Sequence, residues 1–587
     1  MVRTGSIRDG GSPARFQFGR LFAVAFVAVG CGGRSSHGTA PGNEGGGASP
    51  AGGAENHAGA AMSIGGRSGA GISDDGGSST GETCAPGRAP LRRLTRAEYI
   101  ASLTTLFGDV SAATALLPQE RRSFPVGNAA DSQEVGLEQA TAYARIAKQL
   151  AQRTTQDPGS LAKLAACAAQ PSPDSACART TIETFASKAF RRTPTEHELN
   201  ELLGLHASVS SSGGNFAQGI AAVLSAILQA PDFLYRIEWG TEAGPRPDVR
   251  RLTGHEMASR LSYLFWGTSP DEGLRAAAES GVLLDSDGIA REAARLLDDP
   301  RSHAGLAAFF EDFLELYQLP ELVRSDPAYS AQLGGWLQRA TQRFIEAQIF
   351  ERGASWPSLL TADRAFVNGP VSGFFGIAGI SGEQWQEVAL DSTQRLGLLT
   401  HPSLLMTGTF SDSTNPTQRG YRLMEKVLCR HVDAEPPNLP LELGEPAATA
   451  ETTRQRWARL TSGSNCVPCH RDMDQLGFAF ENFDSLGRYR TQDHGLEIDS
   501  HIDVTGLGPT HGPIELVKKL ASMPETQACF ARRFAEFGLG KSLAGDSAGA
   551  CLTEDIARRF QASGSDVRAL LLNLTQTDAF LYLPKDR

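Results

Sequence analysis

The sequence predicts a mainly α, multidomain body, and three observations predict it. At 587 residues the chain is too long for one hydrophobic core, and that length suggests roughly three to five domains. Capping boxes, in which a Thr is followed three residues later by Glu, recur just ahead of runs with apolar residues at helical spacing. No long run alternates apolar with polar residues, so strands are expected to be short and to lie near Glu497 to Val504.

The N-terminus reads as an export signal. Arg3, Arg8, Arg15 and Arg20 make a positive leader, and Leu21 to Gly30 is an apolar stretch too short to span a bilayer. It ends Ala28-Val29-Gly30-Cys31, which resembles a bacterial lipobox, with Cys31 as the lipidated residue. The alternative is an ordinary cleavable signal with an incidental cysteine. From Gly32 to Thr83 the chain is largely Gly, Ser and Ala and cannot bury enough apolar surface to fold. Such a tether of ~50 residues reaches roughly 40 Å.

The folded part opens at Leu91. Thr95-Arg96-Ala97-Glu98 is a capping box, with Tyr99, Leu103, Leu106 and Phe107 on one helical face and Gly108 as the stop. Thr195-Glu196-His197-Glu198 is a second box. Phe216 to Ile237 is apolar at helical spacing, with Pro231 as a break. Asp287 to Leu319 predicts two helices, the second carrying Leu306, Phe309, Phe310, Phe313 and Leu316 as core, and Trp336 to Phe350 predicts another. Glu435-Pro436-Pro437-Asn438-Leu439-Pro440 reads as a stiff strap.

Two phrases recur. Arg92-Arg93-Leu94-Thr95 is echoed by Arg250-Arg251-Leu252-Thr253, with Glu98 and Glu256 in step behind them. Leu228 to Tyr235 is echoed by Leu574 to Tyr582, each after a Cys and a Phe- and Arg-rich helix. The first echo is either a duplication or one helix-start solution used twice; the second is read as two related helical hairpins.

The chemistry centres on Cys466-Val467-Pro468-Cys469-His470. A Cys-x-x-Cys-His run reads as covalent attachment of c-type haem, with the two thiols on its vinyl groups and His470 as the proximal iron ligand. A redox dithiol would sit in a βαβ pattern, which is missing here. A zinc site would need a second pair of ligands at zinc spacing. A plain disulfide would close a loop too small to stabilise much.

The following run, Met473-Asp474-Gln475-Leu476-Gly477-Phe478-Ala479-Phe480-Glu481-Asn482-Phe483-Asp484-Ser485-Leu486-Gly487-Arg488-Tyr489-Arg490, resembles that of the planctomycete-type cytochrome C multidomain family. Phe366-Val367-Asn368 and Arg395 to Thr400 resemble further phrases of it. The similarity extends from about Leu91 to the C-terminus. Its members are large exported proteins of planctomycetes and myxobacteria, in which a cytochrome-like module sits among helical domains of unknown function. The chain is thus divided into a signal peptide with lipobox over 1–31, a disordered linker over 32–83, and helical domains over 84–160, 161–245 and 246–385. A cytochrome-c-like module over 386–512 and a C-terminal helical domain over 513–587 follow. The cofactor expected is one covalent haem c.

The sixth iron position is open in the sequence. Met473 is excluded, because residue i+3 of a helix lies on the face of residue i. His494, His501, His511 and Met523 remain, and Met523 stands where small cytochromes c place a distal methionine. Arg488 and Arg490 are candidates for bidentate pairing with haem propionates. Removing Cys31, Cys466 and Cys469 from nine cysteines leaves an even number, which suggests disulfides in an oxidising compartment. Local pairing proposes Cys167 with Cys177 and Cys529 with Cys551, leaving Cys84 with Cys429.

Other functions find less support. The formal net charge is −11 with no basic stripe, which argues against a nucleic-acid partner. Gly545-Asp546-Ser547-Ala548-Gly549 matches a nucleophile-elbow pattern, but a helical segment precedes it where a strand is required. The leading expectation is an exported, lipid-anchored electron carrier of the bacterial cell envelope, with an unidentified redox partner. A haem-dependent oxidative or peroxidase-like enzyme is the alternative, and a non-catalytic surface lipoprotein the second.

Overall fold

The computed structural model describes residues 84–120, 122, 127–241, 244–433, 450–464 and 466–585. The export signal, the lipobox at Cys31, the tether over 32–83 and the strap at Glu435 to Pro440 lie outside the described residues.

The fold is mainly α, and the described strands form only two-stranded antiparallel pairs. The chain enters through β1 (Arg92–Arg93) and α1 (Arg96–Phe107). Helices α2 (Ser175–Phe190), α3 (Glu196–Ser211) and α4 (Phe216–Ile227) follow, then a single turn over Pro231–Leu234 and β2 (Tyr235–Arg236). Next come β3 (Val249–Arg251) and α5 (Gly254–Trp266). The middle of the chain adds further helices, then α6 (Pro416–Arg422), α7 (Thr453–Leu460) and α8 (Val467–Phe478). A hairpin of β4 (His501–Val504) and β5 (Gly508–His511) leads into α9 (Gly512–Ser522). The end is α10 (Pro524–Leu539), α11 (Ser547–Ala562), α12 (Val567–Thr575), a turn over Asp578–Leu581, and β6 (Tyr582–Pro584).

The two sequence echoes are one structural repeat. Thr95 with Glu98, and Thr253 with Glu256, close complete capping boxes on α1 and α5. In the first copy Arg93 pairs with Tyr235 across β1 and β2. In the second, Arg251 pairs with Tyr582 across β3 and β6. The helices between also correspond: α2 and α10 have 16 residues each, as do α3 and α11. Both α2 and α10 end on a left-handed residue at φ 62°, Arg191 in one and Gly540 in the other. The second copy carries a long insertion between α5 and α10 that holds the Cys-x-x-Cys-His run.

The copies are fastened to each other. Ser102 on α1 and Tyr263 on α5 share a hydrogen bond of 2.8 Å between buried hydroxyls. Lys541 Nζ donates to the carbonyls of Pro86 and Arg88 at 2.9 and 2.7 Å. The principal core lies in the second copy and its insertion, where Phe309, Phe310, Phe313, Phe530 and Trp356 pack together, Trp356 stacking on Phe530 at 4.1 Å. The predicted Phe-rich core face is therefore buried.

Three disulfides close the body: Cys84–Cys551, Cys167–Cys177 and Cys429–Cys529. The expected pairs Cys529 with Cys551 and Cys84 with Cys429 are corrected. Cys529 lies on α10 with its Sγ 3.3 Å from the carbonyl oxygen of Lys426, in the segment after α6 that presents Cys429. Cys551 on α11 instead meets the start of the body at Cys84, because the first copy docks where α10 ends. Three disulfides suggest an oxidising, exported environment. Among the described residues no helix is long and apolar enough to cross a membrane.

Candidate functional site

The Cys-x-x-Cys-His run forms the start of α8. The N–H groups of Cys469 and His470 both bond back to the carbonyl of Cys466, at 3.2 and 3.0 Å, so the motif is wound into the first turn. Pro468 fits there because the first helical N–H groups need no intrahelical acceptor. Both thiols are free, with Cys466 half-buried and Cys469 exposed.

His470 is held from behind. Its Nδ1 lies 3.0 and 3.1 Å from the two carboxylate oxygens of Asp474, one turn further along α8. A carboxylate only accepts, so Nδ1 carries the proton and Nε2 is the nitrogen with a lone pair. Nε2 has no hydrogen-bond partner among the described residues. Asp474 is buried and also accepts from Thr417 Oγ1 at 2.6 Å and Thr461 Oγ1 at 2.8 Å. Donors from α6, from the end of α7 and from α8 itself thus converge on one carboxylate.

Two glycines allow α6 to lie this close to α8. A Cβ at Gly420 would collide with the carbonyl of Met473, and a Cβ at Gly477 with the carbonyl of Pro416. Without that approach Thr417 would not reach Asp474. Met473, excluded as a distal ligand, is buried at the same crossing.

The chain beyond α8 is clamped by Arg419, whose guanidinium donates to the carbonyls of Phe480, Phe483 and Asp484 at 3.0, 3.0 and 2.7 Å. It also pairs with Glu481 at 3.3 Å, both side chains being almost fully buried. Burial pushes the Arg419 guanidinium down to about 10 and raises Glu481, so the network is held against a desolvation cost. Thr414 Oγ1 and Arg490 Nη2 complete Glu481 at 2.7 and 3.0 Å.

Arg490 also pairs with Asp493 at 2.6 Å, and Arg488 pairs with Asp484 and Asp326 at 2.7 and 2.8 Å. The propionate role expected of both arginines therefore has to displace carboxylates already in place. His494 occupies a two-residue hairpin turn with positive φ, and its Nδ1 is 3.1 Å from the carbonyl of Glu451. His501 and His511 face each other across β4 and β5 with ring centroids 3.9 Å apart, both exposed. Met523 sits half-buried against the apolar core between α9 and α10. Among the described residues, no hydrogen bond, ion pair or ring contact joins these four to Cys466, Cys469 or His470. Ser547, in the nucleophile-elbow pattern, is the first residue of α11 behind the N-cap Asp546, with helix α10 rather than a strand before it.

The donor set fits a covalently attached haem. Two unpaired thiols share a helical turn with an imidazole whose Nδ1 is occupied by a buried carboxylate, leaving Nε2 for iron. Sequence reasoning missed Asp474, Thr417 and Thr461. Only the i, i+4 spacing of His470 and Asp474 signals one of those contacts.

Five family models, each described as a protein of unknown function, match successive stretches of the chain. They are DUF1587 over residues 92–156, DUF1595 over 177–238, DUF1592 over 252–377, DUF1588 over 395–493 and DUF1585 over 509–580. The model over 395–493, which contains α6, α8 and the Arg419 clamp, bears the short name PSCyt3. No curated protein and no solved structure matches the chain.

Proposed function

The chain belongs to the planctomycete-type cytochrome C multidomain family, and from that premise we propose that it is an exported c-type haem protein carrying electrons in the cell envelope. Cys466 and Cys469 would hold one haem c covalently and His470 would be the proximal ligand. Cys31 would anchor the chain through lipid, with several acyl chains needed for stable attachment. The observation that carries the reading is the Asp474 carboxylate behind His470, which fixes the tautomer a metal-bound imidazole needs. Haem bound there would supply one-electron chemistry. The protein's own part is to hold His470 in place, through Asp474 and the two threonines, and to keep the segment over 480–484 fixed by Arg419.

The test is a pyridine haemochrome spectrum, with mass spectrometry of the peptide over 460–490, on protein matured in a periplasm with a working haem-attachment system. A haem adduct on Cys466 and Cys469 supports the reading. Unmodified thiols, or a bridge between them, would overturn it.

Asp474 also favours a second reading, a haem-dependent oxidative enzyme. A carboxylate on Nδ1 raises the basicity of the ligating imidazole, and electron donation from the proximal side favours O–O cleavage. Spin state separates the two. Replacing Met523, His494, His501 and His511 one at a time shows which of them reaches iron. A low-spin spectrum lost on one replacement marks an electron carrier; a high-spin spectrum unchanged by all four marks the enzyme.

A further inference from the structure

The seam between the two copies contains a cavity whose wall carries five basic side chains, Arg88, Arg92, Arg236, Arg260 and Lys541, against one acidic side chain, Glu238. It has a volume of about 30 Å³. A single water needs roughly 10–15 Å³ on this measure, so the space suits two or three waters or one small oxyanion.

The charges there are not balanced within the wall. Arg92 and Arg236 stand directly opposite each other across β1 and β2, an arrangement that is unfavourable for like charges. Glu238 is engaged with Arg260 through two hydrogen bonds of 2.9 and 2.7 Å. It reaches Arg236 only at 3.9 Å. Arg92 turns one Nη to Glu98 at 3.2 Å. The Nε groups of Arg92 and Arg236 are buried and have no hydrogen-bond partner among the described residues. A buried, unpaired donor on a cation is costly. Burial and the neighbouring Arg260 push Lys541 down to about 8, and burial together with Arg92 pushes Arg236 down to about 10.

The second copy shows that the fold does not require this arrangement. Where Arg92 faces Arg236 in the first copy, Arg250 faces Leu583 in the second. An arginine at position 236 is thus a departure from the repeat, placed where β1, β2, α5 and the end of α10 meet.

We propose that this seam is a binding site for one small oxyanion, held between Arg92, Arg236, Arg260 and Lys541. The bound anion would offset the opposed guanidiniums of Arg92 and Arg236, and it would lock the first copy to the second. The site stands independently of the haem reading.

Thermal unfolding of the full chain in inorganic phosphate, sulfate or acetate, each against sodium chloride of equal ionic strength, tests it. A saturable rise in Tm with phosphate or sulfate alone identifies a tetrahedral oxyanion, and an equal rise with acetate identifies a carboxylate ligand. Arg236→Leu, which copies the second repeat, and Lys541→Gln are each expected to abolish the rise. Lys541→Gln keeps the test valid if Arg236→Leu does not fold. No saturable rise over the chloride control, or a rise undiminished in the variants that fold, would overturn the proposal.

Discussion

The Nδ1–H of His470 points at the carboxylate of Asp474, 3.0 Å away and one helical turn along. The contact ties the electronic character of the proposed iron ligand to a residue that never touches the metal. Asp474→Asn keeps the shape and removes the anionic acceptor. The haem adduct on Cys466 and Cys469 is expected to survive while the reduction potential rises, because the imidazole donates less. Potentiometric titration of wild type and variant checks this, and an unchanged potential would sink the role given to Asp474.

Acid sensitivity is expected from His401. It is fully buried, its Nδ1 is 3.1 Å from Thr341 Oγ1 and its Nε2 has no hydrogen-bond partner among the described residues. Burial, with Arg395 nearby, pushes it from the ordinary value down to about 3. The unfolded chain therefore takes up this proton first, at about pH 6.5. The stability contributed is full above about pH 6.5 and is lost as the pH falls toward about 3. His401→Gln should flatten the dependence of denaturant-unfolding stability between roughly pH 6.5 and 4. An unaltered slope would show that other groups carry the acid response.

Gly477→Ala should disturb the site without altering any ligand. The added methyl meets the carbonyl of Pro416, a backbone atom that cannot rotate away. Overpacking of this kind typically costs about 1–3 kcal/mol. The same variant should loosen the bond from Thr417 to Asp474, seen as faster hydrogen exchange in α6. A Tm equal to wild type would contradict the close crossing.

The disulfides should rank by the chain they enclose. Cys84–Cys551 spans 467 residues of sequence and Cys167–Cys177 spans 10. Closing the longer loop removes more disorder from the unfolded chain. Cys551→Ser is expected to lower stability by more than Cys177→Ser, with values in the usual range of about 2–5 kcal/mol for the larger effect. Equal losses in calorimetry would refute the ranking.

The helices were legible at Thr95, Thr195 and Thr253, where a Thr-to-Glu capping box stood ahead of helical spacing, but the box of Thr452 with Gln455 ahead of α7 was not read. The repeat was legible as two separate echoes. Their meaning was not, because β1 and β2 are two residues each and carry no alternation, and their pairing joins Arg93 to Tyr235 across most of the first copy. Tertiary docking, rather than short loops, chose the cysteine partners of Cys84 and Cys529. At the candidate site the Cys-x-x-Cys-His run and its place on a helix start were readable from spacing alone. Thr417 and Thr461 were not, since they reach Asp474 only through the crossing of α6 on α8 and the end of α7.

The Cys84–Cys551 bridge also determines how the body bears load. Cys84 opens the described body, so tension drawn through the preceding chain arrives there first. Without the bridge that pull would pass straight to β1, two residues held edge-on by a few hydrogen bonds, which open one after another. With it, the pull crosses the sulfurs into α11, which buries Gly549, Leu552, Ile556, Ala557 and Phe560 along its length. The polypeptide between the two sulfurs is then a closed ring, shielded from extension for as long as the bond stays oxidised.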